Sequence, residues 1–420
     1  MSFNEWKYVK VKDIAEIIFS GGTPSTQKAE FWNGKINWLS SGETRSKFIY
    51  NTEKKITQEG VDNSSTKLAK KKDIVIASAG QGFTRGQTSM CLIDTYINQS
   101  LICIRAKKDV IDPYYLFYNI SSRYAELRQI SDGHSIRGSL TTKIISDLNI
   151  SLPIIKEQIK IGETLFAIDE KIETNNEINK KLEEMAQAIF KQWFVDFEFP
   201  NEDGKPYKSS GGEMVESELG MIPKYWGVDL LSNLVKEVIT GKTPSTKKSE
   251  NYGDKYPFVT IPDMHNKVFV TKTERYLSED GHKLQEKKLI PKNSIMVSCI
   301  ATVGLVSISS EAVHTNQQIN SIIPNSIEEV FYFYEYLKLM EDRLKGIGSS
   351  GSATLNVNKG EFEKIKYIYP DSRIINKYNN TVKNIYEKIK LNEIENNRLA
   401  QLRDTLLPKL MSGEIRVPID

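Results

Sequence analysis

The stretch Ser78-Ala79-Gly80-Gln81-Gly82-Phe83-Thr84-Arg85 joins small residues, which let a backbone come close to a ligand, to a carboxamide, two hydroxyls and a guanidinium. On a nucleic-acid duplex Gln81 suits an adenine edge and Arg85 a guanine edge or a phosphate, while Ser78 and Thr84 suit phosphate oxygens. A counterpart lies later in the chain, Ser298 to Gly304, with Ser298 and Thr302. A second matched pair is Gly133 to Ser139, holding Ser135, Arg137 and Ser139, and Gly348 to Thr354, holding Ser349, Ser350, Ser352 and Thr354. Each is followed by a lysine, Lys143 and Lys359. A third pair is Gly21 to Thr26 and Gly241 to Thr246: Thr23, Ser25 and Thr26 recur as Thr243, Ser245 and Thr246, the latter followed by Lys247. Hydroxyls, backbone amides and lysines of this kind position phosphates, and a solvated loop is the alternative for any one residue. Lys70-Lys71-Lys72 and Lys287-Lys288 can add electrostatic pull, and Asn98-Gln99 and Asn316-Gln317 can equally satisfy buried backbone groups.

Covalent and cofactor chemistry fares worse. Gly80, Gly82 and Gly86 approach a dinucleotide loop, but the last spacing is one residue too long and a strand follows. Gly241-Lys242-Thr243 ends like a P-loop, yet position 236 is lysine where the first glycine belongs, and Pro244 spoils the next helix. Asp112-Pro113-Tyr114-Tyr115 lacks the second proline of an adenine-methyltransferase Asp-Pro-Pro-Tyr loop and reads as a helix start. His134, His265, His282 and His314 show no metal spacing, and no Gly-x-Ser-x-Gly elbow is present. The expectation is a chain with no catalytic residues, no metal and no cofactor of its own.

The elements that must carry the loops come in two sets. Trp226 lies 220 positions after Trp6, and the Gly-x-Thr-Pro-Ser-Thr turn, Glu30/Glu250, Trp38/Phe258 and Ser78/Ser298 repeat at that offset. Strands are expected at 35–39, 73–77, 90–94 and 101–104, and a helix from Asp112 through Tyr124 that recurs over Phe331 to Met340. Each set ends in a heptad seam: Ile161, Leu165, Ile168, Ile172, Asn175, Asn179, Leu182, Ala186, Ile189 and Trp193, then the same spacing 217 residues on from Tyr378 to Leu410, with Asn392 and Asn396. If the two run antiparallel, Asn175 faces Asn396 and Asn179 faces Asn392; a parallel pair would also match asparagines, so the seam alone leaves direction open. At about 1.5 Å per residue each rod is roughly 50 Å long. The expected organisation is α+β: a mixed α/β domain over 1–152, a long helix over 153–195, a linker over 196–224, a second such domain over 225–370, and a distal helix with tail over 371–420. The linker is inferred from Gly, Ser, Pro and charge, including Ser209-Ser210-Gly211-Gly212.

Composition narrows the class. The 420 residues are 39% hydrophobic and 26% charged, ordinary for a soluble protein, with no apolar run long enough for a membrane span. The first residues lack the basic and apolar regions of a signal peptide, so a cytoplasmic location is expected. Cys91, Cys103 and Cys299 have no Cys-x-x-Cys spacing and read as reduced, structural thiols. A net charge of +3 permits nucleic-acid binding without arguing for it.

Five stretches in order carry a family resemblance: Gly22-Thr23-Pro24-Ser25 with its repeat, Leu152 to Gln158, Phe190-Lys191-Gln192-Trp193-Phe194-Val195-Asp196-Phe197, Glu218 to Pro223, and Leu406 to Ile415. Over nearly the whole chain it resembles the specificity subunit of type I restriction-modification systems. The resemblance implies two target-recognition domains, each reading half of a split, asymmetric site on double-stranded DNA, held apart by an antiparallel coiled coil of the two long helices. It further implies two modification subunits that supply S-adenosylmethionine and methylate adenine, and a restriction subunit that supplies ATP and Mg chemistry, with no membrane involved. One departure is Pro370-Asp371-Ser372-Arg373, where the second copy lacks the Pro-x-x-x-Glu-Gln run of Pro153 to Gln158. The main alternative is a non-catalytic scaffold that joins partners through its coiled coil, its domains binding peptide or RNA; a free-standing methyltransferase would need a cofactor loop that is absent from the sequence.

Overall fold

The computed structural model describes residues 6–80, 82–134, 138–349 and 354–418. It divides into two compact units, Met1–Glu170 with Leu399–Asp420, and Lys171–Arg398.

In the first unit a five-stranded sheet runs in the order Ala15–Ser20, Leu101–Ala106, Ile74–Ala77, Thr88–Cys91, Phe48–Ile49, antiparallel except for its last pair. A four-stranded sheet runs Lys54–Ile56, Trp32–Leu39, Thr95–Ile97, Lys67–Ala69. Ile74-Val75-Ile76-Ala77 is apolar at every position because both faces of this strand are covered. Ile74 and Ile76 join the core that holds helix Pro113–Ser121, while Val75 and Ala77 join Leu39, Ala69 and Ile97 of the other sheet. The helix begins as Asp112 and Pro113 predict, the Asp112 carboxylate accepting from the Tyr115 amide at 2.9 Å. It stops at Ser121, short of the expected Tyr124, where a second helix, Tyr124–His134, starts. The strand expected over 90–94 is displaced to Thr88–Cys91.

The second unit repeats the plan. Its five-stranded sheet runs Glu237–Thr240, Ile319–Ile323, Ile295–Ser298, Val306–Ser309, Phe269–Val270, again with a parallel last pair. Helix Val330–Leu339 takes the place of Pro113–Ser121. The stretch 196–224 is not the bare tether its composition suggests. Phe197, Phe199 and Ile222 are buried in this unit's core, Phe199 stacks on Trp226 at 5.0 Å, and Met214–Ser217 pairs with Gly220–Pro223. A few large aromatics anchor a chain whose average composition is polar.

The long helices are Ile155–Phe190, extended by a π-helical turn Lys191–Val195, and Ser372–Ser412. Within the second unit their direction is settled. Asn175 Nδ2 donates to Asn396 Oδ1 at 2.9 Å, Asn392 Nδ2 donates to Asn179 Oδ1 at 2.7 Å, and the rings of Trp193 and Tyr378 lie 5.9 Å apart. Ascending numbers on one helix meet descending numbers on the other, so the pair is antiparallel. In the first unit Ile161 and Leu165 share a core with Leu406 and Leu410, as that register requires. Buried asparagines cost stability but penalise slipped registers that would set amide against Ile or Leu.

The missing Pro-x-x-x-Glu-Gln run also has a physical account. Glu157 is buried between the Trp6 indole N–H, at 3.3 Å, and the Arg416 guanidinium, and Gln158 accepts from the Asp112 amide at 2.9 Å. The equivalent positions in the second helix are Ile374 and Ile375, which pack against the aromatic core around Trp226. A polar lock in one unit is an apolar one in the other.

Candidate nucleic-acid interface

The turn shared by both units is built against a strand end. A Cβ on Gly21 would lie 1.9 Å from Ile97 O, and one on Gly241 2.2 Å from Thr315 O, so only glycine fits. The amides of Gly22 and Lys242 each donate across this contact at 3.0 Å, to Ile97 O and Thr315 O. Thr23 then donates its hydroxyl to the Gln99 side-chain carbonyl, and Thr243 does the same to Gln317. Asn98 and Asn316 cap the following turn, each accepting from the amide two residues on. The identical latch explains why these residues recur: Thr23 and Thr243 are half-buried and engaged inward, so they hold the turn while Ser25, Thr26, Ser245, Thr246 and Lys247 stand exposed on it.

The loop pair 78–85 and 298–304 corrects three expectations. Arg85 is buried, pairing with Asp132 and donating to Gly138 O at 3.0 Å, so its guanidinium braces the first unit instead of facing outward. Ser78 is 8% exposed, its amide and carbonyl bonded to Ser100 and Leu140. Ser298 is fully buried and its hydroxyl accepts from the Leu305 amide at 2.9 Å. All three stand at a strand end or hairpin base, where a polar group is needed to satisfy backbone turning away from the sheet. Thr84 is half-buried, Thr302 is exposed, and Gln81 lies outside the described residues.

In the loop pair 133–139 and 348–354, Ser135, Arg137, Ser350 and Ser352 lie outside the described residues. Ser139 is half-buried; Ser349 is exposed and donates to Gly346 O at 2.8 Å; Thr354 is exposed. Lys143 is exposed on the short helix Thr142–Ser146, and Lys359 opens Lys359–Glu363, 3.4 Å from Glu363. The outward-facing groups are thus hydroxyls and lysines at helix starts and turn tips, suited to phosphate oxygens.

Sequence reasoning missed Phe83, which is 82% exposed between Gly82 and Thr84, because an isolated aromatic has no periodicity to reveal its direction. It also missed that His282 and His314 meet, Nδ1 to Nε2 at 2.9 Å, with His282 stacked on Tyr256. Burial, with His282 beside it, pushes His314 down to about 4. Among the described residues no group of three or more His, Cys, Asp or Glu could hold a metal ion, and the three cysteines are buried and unpaired. Burial raises the Cys299 thiol to about 12, which keeps it protonated. No described helix is long and apolar enough to cross a membrane.

Comparison with known proteins accounts for the duplication. The sequence signature described as the type I restriction modification DNA specificity domain matches twice, over residues 4–184 and 224–402. The chain belongs to that family. It is 37% identical over 404 residues to the Type I restriction enzyme HindI specificity subunit of Haemophilus influenzae, covering 83% of this chain and 88% of that one. It is 29% identical over 425 residues to the MjaIX specificity subunit of Methanocaldococcus jannaschii, covering 98% and 94%. The crystal structure of a type I restriction-modification S subunit from M. genitalium aligns with a TM-score of 0.59 at 16% identity over 98% of this chain and 96% of that one, a likeness of fold.

Proposed function

We propose that this chain is the DNA-reading subunit of a type I restriction-modification complex, each unit contacting one half of a bipartite, asymmetric duplex site. The observation that carries this is the contrast within the repeat: one scaffold and one latch are kept in both units, while the loops beside the latch differ. A scaffold built to read two different half-sites needs that arrangement, and phosphate contacts from the common turns would set register while the differing loops reach bases. The paired helices act as the ruler and as the docking surface for two modification subunits. Half-sites on one face of B-DNA repeat every 34 Å or so, within reach of rods roughly 50 Å long. The chain itself is non-catalytic; S-adenosylmethionine, ATP and Mg belong to the modification and restriction subunits, and the complex works in the cytoplasm.

The test is methylome sequencing of a host expressing this chain with its modification subunit, against the same host without it. A new split motif with methyladenine in both halves and a fixed gap is expected. No new motif despite a stable complex, together with no salt-dependent, sequence-selective duplex binding, would overturn the reading in favour of a protein scaffold. Inserting four residues into each long helix is expected to change the gap and leave both half-sites intact.

A further inference from the structure

Phe83 is the most exposed large hydrophobic side chain among the described residues, at 82%. A single exposed apolar residue is ordinary on a protein surface. What sets Phe83 apart is how its backbone is held. The hairpin loop between strands Ile74–Ala77 and Thr88–Cys91 turns through Gly80, Gly82 and Gly86, with φ of 132°, 67° and 87°. The Tyr124 hydroxyl donates to Phe83 O at 2.9 Å and the Arg128 guanidinium to Gly82 O at 2.7 Å. Beneath it, Gly86 N donates to Ala77 O at 2.9 Å, and the buried Arg85 ties the loop to Asp132 and Gly138. Two cationic or phenolic side chains thus spend their hydrogen bonds on carbonyls flanking a ring that touches little. A loop braced in this way presents the ring outward at low further entropic cost on binding.

The second unit has the same hairpin, Ile295–Ser298 to Val306–Ser309, but folds its loop inward. Cys299 and Val303 are buried, the Ala301 amide donates to Leu355 O, and only Ala301 and Thr302 face out. A surface required in both units would be present in both, and this one is not. It belongs to whatever the two units do differently.

We infer that Phe83 is a base-contacting residue of the first unit, its ring stacking against the bases of the half-site which that unit reads, with no equivalent in the second unit. The inference rests on the DNA-reading role proposed above. Aromatic stacking on a base, or wedging at a base step, needs a rigidly presented apolar ring, and the exposed Lys143, Ser25 and Thr26 of the same unit are available to phosphate oxygens of the same duplex.

The experiment uses the complex of the full chain with its modification subunit and a duplex carrying its methylated motif, with 2-aminopurine placed in turn along each half-site. Phe83→Ala is expected to weaken binding about tenfold or more, to abolish a fluorescence change at one step of the first half-site, and to leave the second half-site's profile unchanged. Phe83→Trp is expected to retain both, and the thermal midpoint of Phe83→Ala to match wild type because the ring is exposed. Wild-type affinity and an unchanged fluorescence profile in Phe83→Ala would overturn the inference while leaving DNA reading intact. So would loss of the modification subunit from Phe83→Ala, which would make the ring a protein contact. Failure of the wild-type complex to bind the duplex would instead remove the DNA-reading role, and the inference with it.

Discussion

The two units bury an acid at the same place in the repeat and solve the resulting problem in opposite ways. In the first, Asp169 of the long helix accepts from the Tyr118 hydroxyl at 2.6 Å, pairs with Arg403 at 2.6 Å and with Lys47 at 2.9 Å. Shifting by 217 residues turns Tyr118 into Glu335 and Asp169 into Tyr386, and there Tyr386 donates to Glu335. Acid and phenol have changed sides. The cations have not followed: the Arg403 position is Ala186, and among the described residues Glu335 makes no ion pair, its Oε2 standing without a partner. Burial accordingly raises the Glu335 carboxyl to about 7. The lesson is that a duplicated scaffold keeps the contact between a domain helix and a long helix, while the charge at that contact is free to differ so long as each version is compensated. One is compensated by pairing, Arg403 also holding Asp404 at 2.7 Å, the other by a carboxyl that takes up its proton more readily.

Breaking the paired version should cost most. Asp169→Ala leaves Lys47 and Tyr118 without their carboxylate and Arg403 with Asp404 alone, and a loss of about 3–5 kcal/mol is expected in urea unfolding. A loss below about 1 kcal/mol would mean that water already serves these groups. The protonated version should instead be broken by pH. A carboxyl whose folded value, about 7, lies above its ordinary 4.5 contributes stability that is complete below 4.5 and lost as pH rises through 7. Glu393, buried and also raised to about 7 while accepting from the amides of Val268 and Phe269, acts in the same direction. The second unit is therefore expected to lose on the order of 3 kcal/mol per such group between pH 5 and 8, measured as hydrogen exchange of Val330–Leu339. Glu335→Gln keeps an acceptor for Tyr386 without the charge, and should remove its part of that slope and make the unit more stable at pH 8; an unchanged slope would refute the assignment.

Smaller effects test what the units share. Replacing Asn175 and Asn396 together by Leu is expected to raise stability by about 1–2 kcal/mol while relaxing register, seen as cross-linking at slipped cysteine pairs along the helices. Thr23→Val and Thr243→Val each remove the same latch bond and should cost about 1 kcal/mol apiece. A clear inequality between the two would show that the latch is not the equivalent structure its geometry suggests.

Much of this architecture is legible in the sequence because it rests on periodicity and on residues with one conformational use. The heptad seams, the matched asparagines, the capped helix at Asp112 and the repeated Gly-x-Thr-Pro turn all follow from local spacing. The candidate contacts were less legible. Gly, Ser, Thr and Arg in a loop have the same composition whether they face solvent or the core, and Arg85, Ser78 and Ser298 turned inward to satisfy backbone and charge that local sequence does not reveal. The stretch 196–224 hides its packing for a related reason: its average polarity masks three hydrophobic anchors, Phe197, Phe199 and Ile222.

By itself, then, the sequence determined that there are two copies of one unit, where the long helices run, and the pairing register that the asparagines would enforce. The tertiary structure decided that the helices run antiparallel, that the latch threonines donate inward, that His282 reaches His314, and that Phe83 rather than Arg85 faces outward. The physical reason is range. Periodicity and capping act within a few residues, whereas the partner of a buried donor or charge is supplied from anywhere in the chain and exists only once the fold has closed.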